Sequence, residues 1–321
     1  MSETSISPSN QTFQLLKIFS LPRYGVAAVR KIAQETLNNN LSDIVEIFHK
    51  LFDKNGMTAS DEQLLQADSA SNKIIEACNS KNIKLISMLD EGYPKNLMTI
   101  KDAPPFLYVR GNLSSLRNRC IAVVGTRKAS SIGLKVADRV ASIVVHNNYT
   151  VVSGLALGID TAAHKGALKS HGCTIAVMAH GLHTVAPGSN KDLADEIIAA
   201  GGALISEHPP GVPARPQEFV RRNRIQSGMS ECSIVIETGE IGGTIHQARF
   251  TKEQGRELLV ILPSPLPEDN DFNASGGKFI ATTMGAHVIK NNQELTDYLK
   301  KRNFTPNTEN SKDVGEQLGF L

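Results

Sequence analysis

The chain has 321 residues, a formal net charge of +2 and 40% hydrophobic residues, proportions that are typical of a soluble protein with one or two domains. The near-neutral charge excludes a global field that attracts polyanions, so nucleic acid would have to bind through a local basic patch. Trp is absent and aromatic residues make up 5%, which argues against an extended platform for stacked bases.

Composition also bears on compartment and metal binding. No segment approaches the roughly 20 apolar residues of a membrane span. The polar N-terminus MSETSISPSNQ lacks the basic and apolar regions of a secretion signal. The four cysteines form no Cys-x-x-Cys pair, so neither a zinc site nor a thiol-redox motif is expected. We therefore expect a cytoplasmic protein without a metal site, a cofactor or membrane contact.

The first quarter of the chain has the pattern of a small helical domain. We expect residues 1–11 to be disordered and residues 12–82 to form helices, because apolar residues recur there at spacings of three and four. The segments with this pattern are FQLLKIFSL, VAAVRKIAQETL, LSDIVEIFHKLF and EQLLQADSASNKIIEACNSK.

From residue 83 the pattern changes to short apolar runs that alternate with helical segments. IKLISML predicts a strand, and the Pro-rich stretch 92–112 predicts an irregular connection. Further strands are expected at 121–124, 150–153, 174–178, 203–206, 233–236, 258–262 and 286–289. This alternation predicts an α/β fold over 83–292, with a doubly wound, mostly parallel sheet. Residues 293–321 are expected to form a short helix and a flexible polar tail.

Three of the predicted strands run into Gly-rich turns. IAVV precedes Gly125-Thr126-Arg127-Lys128, VVSG precedes the turn that ends at Asp160, and SIVIET precedes Gly239-Glu240-Ile241-Gly242-Gly243-Thr244. In parallel sheets such turns meet at one edge, where ligands bind. The three turns therefore predict a composite anion site.

The first turn combines flexibility with charge. Gly125 permits a tight turn, Arg127 can grip phosphate at two oxygens, and the following helix would present N–H groups to an anion. The alternative is that Gly125 only permits the turn and Arg127 is solvated. In the second turn, Asp160 would cap the helix that carries His164, four residues on. That spacing fits an acid–base pair or a local hydrogen bond, and no nucleophile accompanies it.

The sharpest basic feature is Phe219-Val220-Arg221-Arg222-Asn223-Arg224. Its three arginines cannot all face one way on a helix, so part of the cluster would anchor structure and part would face outward. A solvated helix face is the alternative. Glu237 ends the next strand at the same edge, and we expect it to hold an arginine in place when no ligand is bound.

Together these motifs resemble the DNA-processing protein A family, also called Smf. The segments that carry the resemblance are GYPKNL and PPFLYVRGN (92–112), VVGTRKAS (123–130), VVSGLALGIDTAAHKGAL (151–168), TIAVMAHGL (174–182), ALISEHPPG (203–211), FVRRNRIQSGMS (219–230) and GGTIHQA (242–248). Several motifs in the family's order are far more specific than one Gly-rich turn.

The resemblance implies an extended Rossmann-like fold and a homodimer that is not an enzyme. It also implies binding of single-stranded DNA and partnership with a RecA-type recombinase, which such proteins load during natural transformation. The DNA contacts implied by motif are Arg127, Lys169, Arg222 and Arg224, and Lys128 and Lys191 are added from their positions. With the neighbouring turn residues, the candidate DNA-binding site comprises Gly125, Thr126, Arg127, Lys128, Gly154, Lys169, Lys191, Arg222, Asn223, Arg224, Gly243 and Thr244.

The chain also departs from the family pattern. In the turn LPRYG, similar to a helix-hairpin-helix or SAM-like turn, Arg23 replaces a glycine. His183 and Ala186-Pro187 replace an acid and a Tyr-Pro pair, and we expect no winged-helix domain after residue 290. Two alternative functions remain: a nucleotide-binding or nucleotide-hydrolysing protein of the phosphoribohydrolase-like fold, and a specialised paralogue in a defence or mobile-element system. Against the first of these, the sequence lacks the Pro-Gly pair and the Glu of the phosphoribohydrolase-like active site.

Overall fold

One nine-stranded sheet forms the centre of the protein in the computed structural model, which describes residues 7–39, 44–52, 59–265 and 271–302. The strands are β1 Lys84–Ser87, β2 Phe106–Gly111, β3 Cys120–Val124, β4 Thr150–Ser153, β5 Thr174–Val177, β6 Ala203–Ser206, β7 Cys232–Val235, β8 Glu257–Ile261 and β9 His287–Ile289. Their order is β1-β2-β6-β5-β4-β3-β7-β8-β9. All pairs among β3 to β9 are parallel, whereas β2 pairs antiparallel with β1 and with β6. The predicted α/β class with a mostly parallel sheet is confirmed.

Twelve α-helices accompany the strands in the described part of the chain. They are α1 Asn10–Ser20, α2 Val26–Asn39, α3 Ile44–Phe52, α4 Asp61–Asn79, α5 Lys95–Met98, α6 Ser131–His146, α7 Ile159–Lys169, α8 Lys191–Ala199, α9 Pro216–Met229, α10 Gly243–Glu253, α11 Ser275–Met284 and α12 Asn292–Arg302. Ser9 caps α1 by accepting from the N–H of Thr12, so this helix begins inside the segment expected to be disordered. Residues 1–6 and the tail 303–321 lie outside the described residues. No helix among the described residues is long and apolar enough to cross a bilayer.

The central strands are buried on both sides because helices cover both faces of the sheet. Every residue of β3 is buried. Helices α6, α7 and α12 pack on the face that carries Ile121 and Val123. The opposite face, with Val124 and Val235, is covered by α10 and α11. Helix α9 packs through Ile225 beside Val152 of β4. This doubly wound arrangement leaves the carboxyl ends of the strands free to form a site.

Strand β2 was not predicted, because the prolines and turn-formers around FLYVRG indicated an irregular connection. In the structure Phe106 to Val109 are all buried, and β2 bridges β1 and β6 through antiparallel pairing. Pro104 and Pro105 precede the strand, so they remove no donor from its ladder. The burial that stabilises this strand comes from distant partners and leaves no local pattern.

The four N-terminal helices share a hydrophobic core with β1, β2 and α9. Polar contacts also join them to the sheet: Arg30 Nε donates to the carbonyl of Ala103 over 2.7 Å. Arg23, at the position of the expected glycine, has a φ of 75°. The backbone therefore keeps a left-handed residue here despite the side chain, which costs of order 1 kcal/mol or more.

Candidate nucleic-acid interface

A cleft of about 540 Å³ opens at the carboxyl ends of β3 and β7. The chain order of the sheet reverses here, because β4, β5 and β6 lie on one side of β3 while β7, β8 and β9 lie on the other. Such switch points are where ligands bind in open α/β sheets. Its lining residues come from four segments: Val124, Gly125, Thr126 and Arg127; Ala156 and Asp160; Pro216, Phe219, Val220, Arg222, Asn223 and Gln226; and Thr238, Gly239, Ile241, Gly242, Gly243, Thr244 and Gln247.

Arg127 is the exposed cation of the cleft. Its guanidinium carbon lies 5.2 Å from the centroid of the Phe219 ring, a cation–π contact that orients the fork. The turn beneath it is fixed by its backbone: the N–H of Thr126 donates to the carbonyl of Glu237 over 2.7 Å, and the N–H of Ile159 donates to the carbonyl of Thr126. Arg127 is therefore held at the mouth of the cleft and remains accessible to a ligand.

Arg222 also lines the cleft, but from beneath its surface. It is buried, and its Nη1 donates to the carbonyl of Gly154 over 2.8 Å and to that of Val177. A side chain at Gly154 would overlap the guanidinium, so the glycine is required by close approach. Burial lowers the pKa of Arg222 to about 10, opposed by Asp160. Arg222 stays protonated at neutral pH and contributes positive charge to the floor of the cleft.

Asp160 and His164 have local structural partners. Asp160 Oδ2 accepts from the N–H of Gly154 over 3.1 Å, and burial raises its pKa. His164 Nδ1 lies 2.7 Å from Thr174 Oγ1, and burial together with the Arg222 charge lowers its pKa to about 3. His164 is therefore neutral at physiological pH. The two side chains therefore bond to different partners, and neither an acid–base pair nor a hydrogen bond joins Asp160 to His164. The expectation that Asp160 caps α7 is also wrong, because Gly158 is the N-cap and Asp160 accepts from Gly154 instead.

The N-terminus of α10 opens into the cleft. Gly242 precedes the helix with a φ of 134°, a backbone conformation that favours glycine, and no side chain caps the first turn. Gly243 and Thr244 both line the cleft, and Asn223 Nδ2 holds the turn by donating to the carbonyl of Gly243 over 3.0 Å. The first N–H groups of a helix have no partner within it and attract anions.

The N-terminus of α6 does not offer free N–H groups to an anion, although the turn at Gly125 predicted that it would. Glu237 Oε2 accepts from the N–H and the hydroxyl of Ser130, both over 3.0 Å, and Oε1 accepts from the N–H of Asn273. The protein's own carboxylate therefore occupies this helix end. The expectation that Glu237 holds an arginine is also wrong, because its carboxylate accepts from Ser130 and Asn273 instead.

Arg224 requires the clearest correction. Its Nη1 and Nη2 donate to the two oxygens of Glu207 over 2.9 and 2.8 Å, and its Nε lies 2.8 Å from Asp102 Oδ2. The Arg224 side chain is 2% exposed. It points away from the cleft residues of α9 and ties this helix to the residue that follows β6 and to the loop before β2. Direct contact between Arg224 and DNA does not fit this placement.

The predicted lysines do not line the cleft either. Lys169 ends α7, far from the turn that begins the helix, and its Nζ lies 3.5 Å from Asp138 Oδ2. Lys191 is the exposed first residue of α8, and Lys128 is exposed beside Arg127. The charged lining residues are Arg127, Arg222 and Asp160, two cations against one anion. The cleft is thus weakly positive.

Phe219 and Ile241 are two large apolar residues among the cleft residues that were absent from the predicted site. Phe219 precedes Arg222 and Asn223 by three and four positions, so helical spacing alone would have placed it on their face. Ile241 is 94% exposed and stands in the Gly-rich turn before α10. An apolar residue among glycines in a turn was the available signal.

One cluster of possible metal ligands lies near Arg224. Glu207, His208 and Glu218 place ligand atoms within 4.8 Å of one another. Both Glu207 oxygens accept from Arg224, and His208 Nε2 lies 3.1 Å from Glu218 Oε2. These contacts already use the atoms that a cation would need.

The sequence model of the family described as DNA recombination-mediator protein A matches residues 84–300. The chain belongs to this family. The Smf protein of Escherichia coli is 37% identical over 219 residues, which cover 68% of this chain and 57% of Smf. The chain thus spans somewhat more than half the length of that relative.

Solved structures of DNA processing protein A give the same fold. The Streptococcus pneumoniae structure superposes with a TM-score of 0.70 at 30% identity, covering 89% of this chain and 97% of that one. A Helicobacter pylori structure, described as showing a single-stranded DNA binding mode, has a TM-score of 0.59 at 25% identity and covers 68% and 96% of the two chains. The Rossmann-like expectation for this member of the DNA recombination-mediator protein A family is confirmed.

Proposed function

We propose that this protein binds an unpaired DNA strand in the cleft between β3 and β7. The observation that carries the proposal is the pairing of Arg127 with the open N-terminus of α10 in one cleft. A guanidinium and free helix N–H groups are two independent donors to phosphate oxygens. The backbone of the strand would approach closely at the small turn residues Gly125, Thr126, Gly243 and Thr244. Arg222 would add positive charge from below.

The apolar residues of the cleft favour an unpaired strand over a duplex. The Phe219 ring and the exposed Ile241 side chain both line the cleft. The face of an aromatic ring stacks on any base whose own face is accessible. Bases in a duplex are already stacked on one another, so only unpaired bases can occupy these surfaces. Binding of this kind depends little on sequence.

The rest of the proposal follows from relatedness. The family is described as a recombination mediator, and the H. pylori relative is described as binding single-stranded DNA. We therefore propose a cytoplasmic, non-enzymatic protein that protects unpaired DNA and loads a RecA-type recombinase, acting as a homodimer. Lys128 and Lys191 are exposed and remain proposed phosphate contacts of this assembly, outside the cleft.

Salt-titrated binding tests the proposal directly. The purified protein is expected to hold an unpaired oligonucleotide at least about tenfold more tightly than a duplex of the same length. Its affinity for the unpaired strand is expected to fall with salt, with a slope of about −0.7 per phosphate contacted. Equal affinity for the two forms would contradict the proposal.

Mononucleotides provide the control for the alternative function, because a cleft of this size also lies within the range of small-molecule sites. A mononucleotide at millimolar concentration should raise the unfolding temperature less than a short oligonucleotide at micromolar concentration. The reverse result would favour a nucleotide-binding protein.

A further inference from the structure

A second groove opens between α6 and α7, next to the cleft. Its volume is about 420 Å³, and its lining residues are Leu134, Lys135, Asp138, Thr161, Ala162, Lys165 and Lys169. Leu134 is 40% exposed, although helix α6 buries most of its other apolar residues. The groove therefore combines accessible apolar surface with a rim of lysines.

The charge of this groove is positive. Lys135, Lys165 and Lys169 are all exposed, against a single carboxylate at Asp138. The recorded ion pair joins Lys169 to Asp138 at 3.5 Å, with the Lys169 side chain 77% exposed. Exposed pairs of this kind contribute little to stability, so the ammonium group of Lys169 can turn to another anion at small cost. With three lysines and one aspartate, the lining residues carry a net charge of +2.

The groove and the cleft share helix α7. Asp160 lines the cleft and the next residue, Thr161, lines the groove. Lys128 is exposed in the turn that leads from β3 into α6. Leu157, 49% exposed, stands in the turn that leads into α7. Asp160 and Lys169 lie at opposite ends of α7, about 14 Å apart along the helix axis, so the groove extends along α7 away from the cleft.

We propose that the strand held in the cleft continues past Lys128 into the α6–α7 groove, where Lys135, Lys165 and Lys169 contact its phosphates. This inference rests on the proposed function and extends it, since the groove would set how much of the strand one protein covers. A nucleic-acid backbone fits better than an acidic peptide because the groove adjoins the cleft and has the same sign of charge. Flexible ammonium groups suit a ligand with no fixed phosphate geometry.

The test compares short and long oligonucleotides. A strand of about three nucleotides is chosen to stay within the cleft, whose volume of about 540 Å³ is that of a small-ligand site. A strand of about 20 nucleotides exceeds the usual site sizes of about 4–16 nucleotides for single-strand binding folds. The K135A/K165A/K169A variant is expected to bind the short strand like the wild type and the long strand at least about tenfold more weakly. Its salt slope on the long strand should be smaller by about 2, since each lost phosphate contact removes about 0.7.

The matched control is K31A/K73A/K81A, which removes three exposed lysines from the N-terminal region with the same change in net charge. It should bind both strands like the wild type. Unfolding temperatures of both variants verify the fold.

The proposal is overturned if the groove variant binds the long strand with wild-type affinity and salt slope, or if it loses equal affinity for both strands. The proposal is likewise overturned if the groove variant no longer binds a polyglutamate peptide that the wild type binds, while its DNA binding is unchanged. The groove would then bind an acidic protein. In each of these cases the wild type still binds the short strand, so the proposed function survives. If the wild type bound neither strand, the groove proposal and the proposed function would both fail.

Discussion

Replacing Arg127 with Glu is expected to lower the affinity for an unpaired oligonucleotide by at least about 100-fold. A hydrogen bond to a charged group contributes about 1.5–3 kcal/mol, and about 1.4 kcal/mol corresponds to a factor of ten in affinity. Arg127→Ala should therefore lose about tenfold or more, and the reversed charge adds repulsion from the same phosphate. Because Arg127 is exposed, the unfolding temperature should stay within about 2 °C of the wild type. Fluorescence anisotropy with a labelled oligonucleotide measures the loss.

Arg117→Glu is the matched control for this experiment. Arg117 is 55% exposed, pairs with the exposed Glu91 at 3.1 Å and follows β2, outside the cleft. The charge change equals that of Arg127→Glu, so a loss due only to net charge would appear in both variants. If a folded Arg127→Glu variant bound the oligonucleotide with wild-type affinity, the cleft would not be the binding site.

Replacing Arg224 with Ala is expected to destabilise the protein by about 3–5 kcal/mol, the usual cost of breaking a buried ion pair from one side. Glu207, whose side chain is 8% exposed, would keep its charge and lose both guanidinium donors. Chemical unfolding of the purified variant measures the change. Under conditions where the variant is folded, its affinity for the short oligonucleotide should remain within about threefold of the wild type, because Arg224 lies outside the cleft.

The neighbouring Arg221 offers the comparison. It is exposed, and its Nε reaches Glu207 at 4.0 Å, so Arg221→Ala should cost less than about 1 kcal/mol. If Arg224→Ala instead unfolded like the wild type and failed to bind DNA, the structural role assigned to Arg224 would be wrong.

The difference between Arg224 and Arg221 shows how much of the site can be predicted from the sequence. The run of arginines predicted a basic element at the right edge of the sheet, and helical periodicity predicted that its members diverge. Which of them faces the cleft depended on Glu207 and Asp102, which lie 17 and 122 positions before Arg224. No pattern near Arg224 encodes those partners, so the direct role given to it could not be corrected without the structure.

The same limit applies to the helix ends. The turns before α6 and α10 both follow a strand and contain glycine, and both predicted an anion site. A tertiary contact separates them, because Glu237 occupies the N-terminus of α6 while that of α10 stays open. By contrast, the strands β3 to β9 were predictable because buried parallel strands form continuous apolar runs.

Photocrosslinking identifies the residues that contact the bound strand. An oligonucleotide with a photoreactive thymine analogue at each position in turn is irradiated with the protein, and the labelled peptides are identified by mass spectrometry. Crosslinks are expected in the segments that contain Phe219 and Ile241, with loss of both in the Arg127→Glu variant. Crosslinks confined to the N-terminal helices, or to the β8–β9 edge of the sheet, would contradict strand binding in the cleft.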